Sequence, residues 1–351
     1  MLLQGVILNG EKVNIEVQNG KITAITTAKT PVIGDELIAV AGMVDVHLHG
    51  FAGYDTMDAD FAPLCAELAK RGTTSFLPTT MTASVEELAR VTAADTQCAG
   101  AEILGFHLEG PFISKEKKGA QNEAYIIPAS LDAFAKWHNI KKITVAPETE
   151  GCLDFIKAVS SSVSVSIGHT ACDYDTACEA IDNGANCLTH TFNAMPQFIN
   201  RASGPIGAAF EKGAYAEVIC DGKHVSKSHV LALYAMFGAD RLVLISDTIC
   251  SAGLPDGVYE SGGLDVILQD GVATNRGGNL AGGSHSLWDG VRMAVSFGIP
   301  FDDAVKMATR TPATMIGATG KGDIEIGLDA DILLVDKHLQ LQKVYIAGKE
   351  V

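Results

Sequence analysis

The sequence predicts an α/β protein: a (β/α)8 TIM-like barrel with a small β-sandwich domain formed by both chain termini. Three observations predict this. Apolar runs alternate with helical patterns eight times between residues 43 and 319, the usual size for such a barrel. Five of those runs stop on a metal-type ligand at their carboxyl end, the face where barrel enzymes place their chemistry. The two ends of the chain hold short strands with no helical pattern between them. A doubly wound open sheet is the runner-up, and it would not easily gather ligands from so many strands.

Residues 1–42 read as a meander. Val6–Leu8, Val13–Val17 and Lys21–Ile25 are separated by Asn9-Gly10 and Asn19-Gly20, a strong hairpin signal. Strand candidates then start at Met43, Thr73, Ile103, Ile143, Val163, Asn186, Ala216 and Arg241. Helical patterns lie between them, among them Phe61–Lys70, Val85–Ala94, Leu131–His138, Asp175–Asn183 and Lys227–Phe237. Gly72, Gly184 and Gly238 follow three of these, where a helix end favours a left-handed residue. The stretch at about 249–283 is glycine-rich and reads as a rim insertion or lid. Trp288–Gly298 and Phe301–Thr309 return to helix and complete the barrel at 43–319. Gly322–Gly327, Ala330–Val335 and Lys343–Gly348 read as strands that join residues 1–42 in the terminal domain, 320–351.

Of the 351 residues, 47% are hydrophobic and 19% charged, with a formal net charge of −16. That balance disfavours nucleic acid or an anionic membrane as a partner, since both require a basic face. A small anionic substrate stays compatible with it, because a pocket can be positive inside an acidic protein. The eight cysteines form no CxxC pair and read as buried free thiols rather than a disulfide framework. Neither a secretory leader pattern nor an apolar stretch of about 18 residues is present, so a cytoplasmic protein is expected.

The chemistry gathers at strand ends. His47 and His49 are two residues apart, so in a strand they share a face. Glu109 ends the run at Phe106–Leu108 and precedes Gly110-Pro111, and His169 and His190 end two later runs. Each alone fits a structural role. Together they fit a divalent metal site, one or two ions per subunit, with zinc and iron both suited to imidazole and carboxylate donors. Such an ion lowers the pKa of water toward about 7. Asp247 ends the eighth run and reads as a general base, then acid, or as a helix cap before Thr248. His224 and Arg201, with backbone amides, suit a phosphate; a solvated loop arginine fits Arg201 equally. The Gly282-Gly283-Ser284 turn lets backbone approach a ligand, or is an ordinary tight turn.

With His47-Leu48-His49-Gly50, His107-Leu108-Glu109-Gly110-Pro111-Phe112, Gly168-His169-Thr170, Thr189–Met195, Asp221–His224 and Ser246-Asp247 in this order, the chain resembles the amidohydrolase superfamily. Within it, the chain is similar to the N-acetylglucosamine-6-phosphate deacetylase family. The resemblance implies metal-dependent hydrolysis of the N-acetyl group, giving acetate and glucosamine 6-phosphate in amino-sugar catabolism or cell-wall recycling. It implies Glu109, His169 and His190 as ligands of an obligatory ion, His47 and His49 as ligands of a second bridged through Glu109, and Asp247 as the acid/base. It also implies sugar-phosphate contacts from His224, Asn193 and Ala194, and a homodimer in which Arg201 reaches the neighbouring site. One departure stands out: Gln121 occupies the place of a histidine that polarises the acetyl carbonyl in many relatives. A second ion at His47 and His49 would compensate as a Lewis acid. The galacto epimer as substrate, a deaminase, and a silent sugar-phosphate sensor are the alternatives.

Overall fold

The computed structural model describes residues 1–28 and 36–351; the part of the predicted meander at 29–35 lies outside the described residues. All eight barrel strands form: β1 (Met43–Leu48), β2 (Thr73–Thr80), β3 (Phe106–Glu109), β4 (Ile140–Val145), β5 (Ser164–Ile167), β6 (Cys187–Leu188), β7 (Tyr215–Ile219) and β8 (Leu242–Ile245). Each pairs in parallel with its neighbour from β1 to β8. Nearly every residue in them is buried, as expected for strands covered on both faces. The ring closes at the ligand-bearing ends. The Asp247 N–H donates to the His47 carbonyl at 2.9 Å, and the Ser246 N–H donates to the Asp45 carboxylate at 3.4 Å. Burial pushes the Asp45 carboxyl up to about 6, against hydrogen bonds from Ser246 and His47.

The helices begin and end where the side chains dictate. Ser84, Asp173 and Ser286 each accept a backbone N–H three residues on, satisfying a donor the helix cannot. Gly72 and Gly184 take φ of 89° and 112° just past their helices, as the sequence predicts. Gly238, expected to end its helix, instead sits at a kink inside Lys227–Arg241 with φ 63° and ψ 176°, a backbone open to glycine because it has no β-carbon.

Both chain ends enter one seven-stranded sheet, in the order Lys349–Glu350, Leu341–Ile346, Ile332–Val335, Ile38–Ala41, Leu2–Leu8, Glu11–Gln18, Lys21–Thr27. Asn9-Gly10 and Asn19-Gly20 have φ of 51° and 79°, and 51° and 78°, which is the backbone of a primed hairpin turn. The sheet curls over its own apolar core until its last strand meets the 327–330 segment. There the Ile22 N–H reaches the Leu328 carbonyl at 3.0 Å and the Ala330 N–H reaches the Gly20 carbonyl at 2.8 Å. Gly322–Gly327, predicted as a strand, is a series of bends and turns instead. Gly322 (φ 87°) packs so closely on Thr309 and Arg310 that a Cβ there would lie 2.8 Å from backbone, which pulls the segment off the sheet and against the barrel.

Lys321 ties the two units together. Its side chain is 6% exposed, with Nζ 2.6 Å from Glu102 and 2.8 Å from Asp331. Lys321→Met leaves the buried Asp331 without its cation and is expected to destabilise the protein by about 3–5 kcal/mol, measured by urea unfolding.

The glycine-rich rim segment folds as a four-stranded antiparallel sheet of Gly257–Ser261, Leu264–Gln269, Val272–Asn275 and Leu280–Gly282. Asp55 holds it down by accepting from the Ser261 hydroxyl at 2.7 Å and the Gly262 N–H at 2.9 Å. The Gly283 N–H donates to the Asp247 carbonyl at 2.6 Å, so the sheet's exit strand is anchored at the barrel mouth. Among the described residues, no helix is long and apolar enough to cross a membrane.

Candidate metal centre at the barrel mouth

One local rule places half of the site. β5, β6 and β8 end at Ile167, Leu188 and Ile245, and two residues beyond each end stand His169, His190 and Asp247. All three have left-handed backbone, with φ of 46°, 30° and 48°, which β-carbon sterics disfavour outside glycine. Strain of this kind persists where surrounding contacts over-determine it, commonly at functional sites. The turn it creates aims each side chain inward. Glu109 is the last residue of β3, and His47 and His49 leave β1 on one face.

These residues form two triads that share Glu109: His47, His49 and Glu109, and Glu109, His169 and His190. The Nε2 atoms of His169 and His190 lie 3.1 Å apart and each lies 3.1 Å from Glu109 Oε1. In the other triad, Glu109 Oε1 is 3.3 Å from His47 Nε2 and Oε2 is 3.2 Å from His49 Nε2. Asp247 Oδ1 stands 3.4 Å from both of those nitrogens.

The donor set fits divalent cations. Tetrahedral ligands at about 2.0–2.1 Å from an ion lie roughly 3.3 Å from one another, close to the spacings here. His47 Nε2 is buried without a hydrogen-bond partner, a state that an ion at its lone pair would relieve.

Electrostatics point the same way. Burial disfavours a charge on His47, but Asp247 and Glu109 outweigh it and bring its pKa to about 9. The same carboxylates overcome burial at His49 and bring it to about 10, and Glu109 raises His169 against burial. In return His169 and His47 hold the buried Glu109 well below the usual range. Asp247, despite its burial, is drawn to about 2 by His47 and His49. A pocket that draws protons to its imidazoles draws a metal cation for the same Coulombic reason.

Ring orientation is set from behind. His49 Nδ1 meets the Thr79 carbonyl at 3.2 Å, His169 Nδ1 the Lys117 carbonyl at 2.9 Å, and His47 Nδ1 the Glu217 carboxylate at 3.1 Å. A proton on each Nδ1 leaves Nε2 free to ligate. Glu217 and its ion-pair partner Lys142 are absent from the predicted site. The available signal was a carboxylate inside the apolar run Tyr215–Cys220, where a buried charge needs a partner.

Above the triads is a cavity of about 370 Å3, within the range of small-molecule sites. It brings together His49, Glu109, Gln121, His169, His190, Asn193, Ala194, His224 and Asp247. Gly282, offered by the sequence as a close backbone approach, also lines it, as do Met81 and Asn279–Ala281, which the sequence reading did not single out. His224 is held by Asp221, whose Oδ2 is 2.7 Å from its Nδ1; that carboxylate raises its pKa against burial. Gln121 Nε2 donates to Glu109 Oε2 at 2.5 Å and Oε1 accepts the Thr82 N–H at 2.7 Å, so its amide braces the shared carboxylate. Three predicted residues stand outside the cavity lining: His47 lies fully buried beneath it, and Ser284 and Arg201 are turned elsewhere. The Ser284 hydroxyl donates to the Gly271 carbonyl at 2.5 Å, and Arg201 is exposed on the loop after β6.

The chain belongs to the amidohydrolase family, whose sequence pattern matches residues 38–351; these are hydrolases of amide C–N bonds. The particular relatives narrow the class. N-acetylglucosamine-6-phosphate deacetylase of Bacillus subtilis (strain 168) is 34% identical, covering 96% of this chain and 91% of its own. N-acetylgalactosamine-6-phosphate deacetylase of Escherichia coli O157:H7 is 33% identical, covering 95% and 93%. The crystal structure of N-acetylglucosamine-6-phosphate deacetylase from Thermotoga maritima superimposes with a TM-score of 0.92 at 30% identity, covering 100% of this chain and 99% of that one.

Proposed function

We propose that the protein hydrolyses the N-acetyl group of N-acetylglucosamine 6-phosphate to acetate and glucosamine 6-phosphate. The observation that carries this is Glu109 shared by two histidine pairs, with the Asp247 carboxylate beside them. Glu109, His169 and His190 would hold one divalent ion, and His47, His49 and Glu109 would hold a second; zinc and iron both suit these donors. When bound, such ions supply Lewis acidity, which makes water acidic enough to attack near neutral pH. Asp247 takes a proton from the attacking water and later gives it to the departing amine. His224 binds the phosphate, and Asn193 and Ala194 position the sugar ring. Arg201, flanked by the exposed apolar Phe198 and Ile199, completes the site of a partner in a homodimer. The net charge of −16 argues against nucleic acid as a partner.

The galacto epimer is the second reading, favoured by the Escherichia coli relative. Acetate release from the two N-acetylhexosamine 6-phosphates separates them. The gluco substrate is expected to have the higher kcat/KM; the reverse order reverses the epimer, and acetate from neither refutes deacetylation. His224→Ala is expected to raise KM about 10- to 150-fold, the loss of one charged hydrogen bond, with kcat little changed. A fall in kcat alone would remove His224 from phosphate binding.

A further inference from the structure

Beneath the ligand shell, the barrel interior holds a charge pair that the proposed reaction does not use. Lys142 of β4 and Glu217 of β7 are both completely buried and ion-paired through Nζ and Oε1. β4 and β7 are not neighbours in the sheet, so the pair crosses the barrel. Burying two such ions carries a desolvation penalty of several kcal/mol each, and an apolar pair would often be as stable. The second carboxylate oxygen gives the pair its purpose. Glu217 Oε2 lies 3.1 Å from His47 Nδ1 and accepts the backbone N–H of His190 at 3.2 Å. It therefore touches one residue from each triad. His49 and His169 rest on backbone carbonyls, whereas His47 alone of these three rests on a side chain.

We infer that Glu217, anchored by Lys142, is a positioning residue of the metal centre: it keeps the proton of His47 on Nδ1, so that Nε2 presents its lone pair beside Glu109. The inference rests on the two-ion reading above. An imidazole whose far nitrogen donates to a carboxylate is oriented and is a more basic ligand, and losing that partner commonly weakens metal binding 10- to 100-fold. Lys142 acts one step further back. It holds the other oxygen of Glu217, so the carboxylate cannot turn away from His47.

The test compares two uncharged replacements of the pair. Lys142→Met with Glu217→Met removes the acceptor; Lys142→Met with Glu217→Gln keeps an amide oxygen facing His47. Zinc is titrated into the full-length, chelator-stripped proteins, with Kd and ions per chain read by calorimetry. The wild type is expected to bind two ions. In the first variant one Kd rises about 10- to 100-fold and the other changes less than about threefold; in the second, which keeps an acceptor but lacks the Lys142 anchor and the charge, the same Kd rises by a clearly smaller factor. A merely structural pair would shift thermal stability and leave both Kd values alone; that result overturns the inference, as does equal weakening of both sites in both variants. A wild type binding fewer than two ions sinks the two-ion reading, and this inference with it. Should the variants not fold, ring nitrogen NMR of the zinc-loaded wild type decides: a proton on His47 Nδ1 supports the assignment, and its absence overturns it.

Discussion

Asp247→Asn is expected to slow acetate release by about 10²- to 10⁴-fold, the usual worth of a positioned acid–base group, with KM and bound metal nearly unchanged. Asparagine keeps the shape but cannot take a proton from water. It also suits the backbone. Asp247 has φ 48°, and asparagine enters the left-handed region more readily than other non-glycine residues. The Asp247 N–H to His47 and the Asp247 carbonyl from Gly283 close the barrel seam and anchor the rim sheet; both are main-chain bonds and survive the change. Alanine would mix lost chemistry with backbone strain, so the amide is the cleaner variant. Turnover within tenfold of wild type would remove Asp247 from proton transfer.

Glu109→Gln is expected to empty both ion sites and lower turnover at least about 10³-fold, since the Lewis acidity at stake is worth several kcal/mol. The reason lies in the sharing. Oε1 faces His47, His169 and His190, and Oε2 faces His49. An amide offers one neutral oxygen in place of a charged pair. Its nitrogen would also point a donor toward an imidazole Nε2 or toward the Gln121 amide donor, which now reaches Glu109 Oε2. Metal analysis after dialysis reads the effect directly. Two ions per chain in the variant would show that Glu109 does not bridge.

Much of this architecture is legible in the residues because it follows from local rules. Asn-Gly pairs set the turns at 9–10 and 19–20 through backbone sterics alone. Eight buried parallel strands read as eight apolar runs, and five of them visibly stop at a ligand. The positions that stayed hidden depend on non-local geometry. Gly322–Gly327 alternates like a strand, but close packing of Gly322 on Thr309 and Arg310 takes it off the sheet. Lys142 and Glu217 are 75 positions apart, and only the barrel brings them within ion-pair reach. Asn279–Gly282 enters the cavity because Asp55, more than 200 positions upstream, pins the rim sheet. Ser284, on the turn that the sequence offers as a ligand approach, spends its hydroxyl on the Gly271 carbonyl, 13 positions upstream, an acceptor that only the folded rim sheet supplies.

The most direct test of the account is to strip the protein with chelator, add zinc stepwise, and follow acetate release from N-acetylglucosamine 6-phosphate against ions bound per chain. The account predicts no measurable release from the stripped protein and a return of activity as the sites around Glu109 fill. Full activity in protein free of every divalent ion would contradict it.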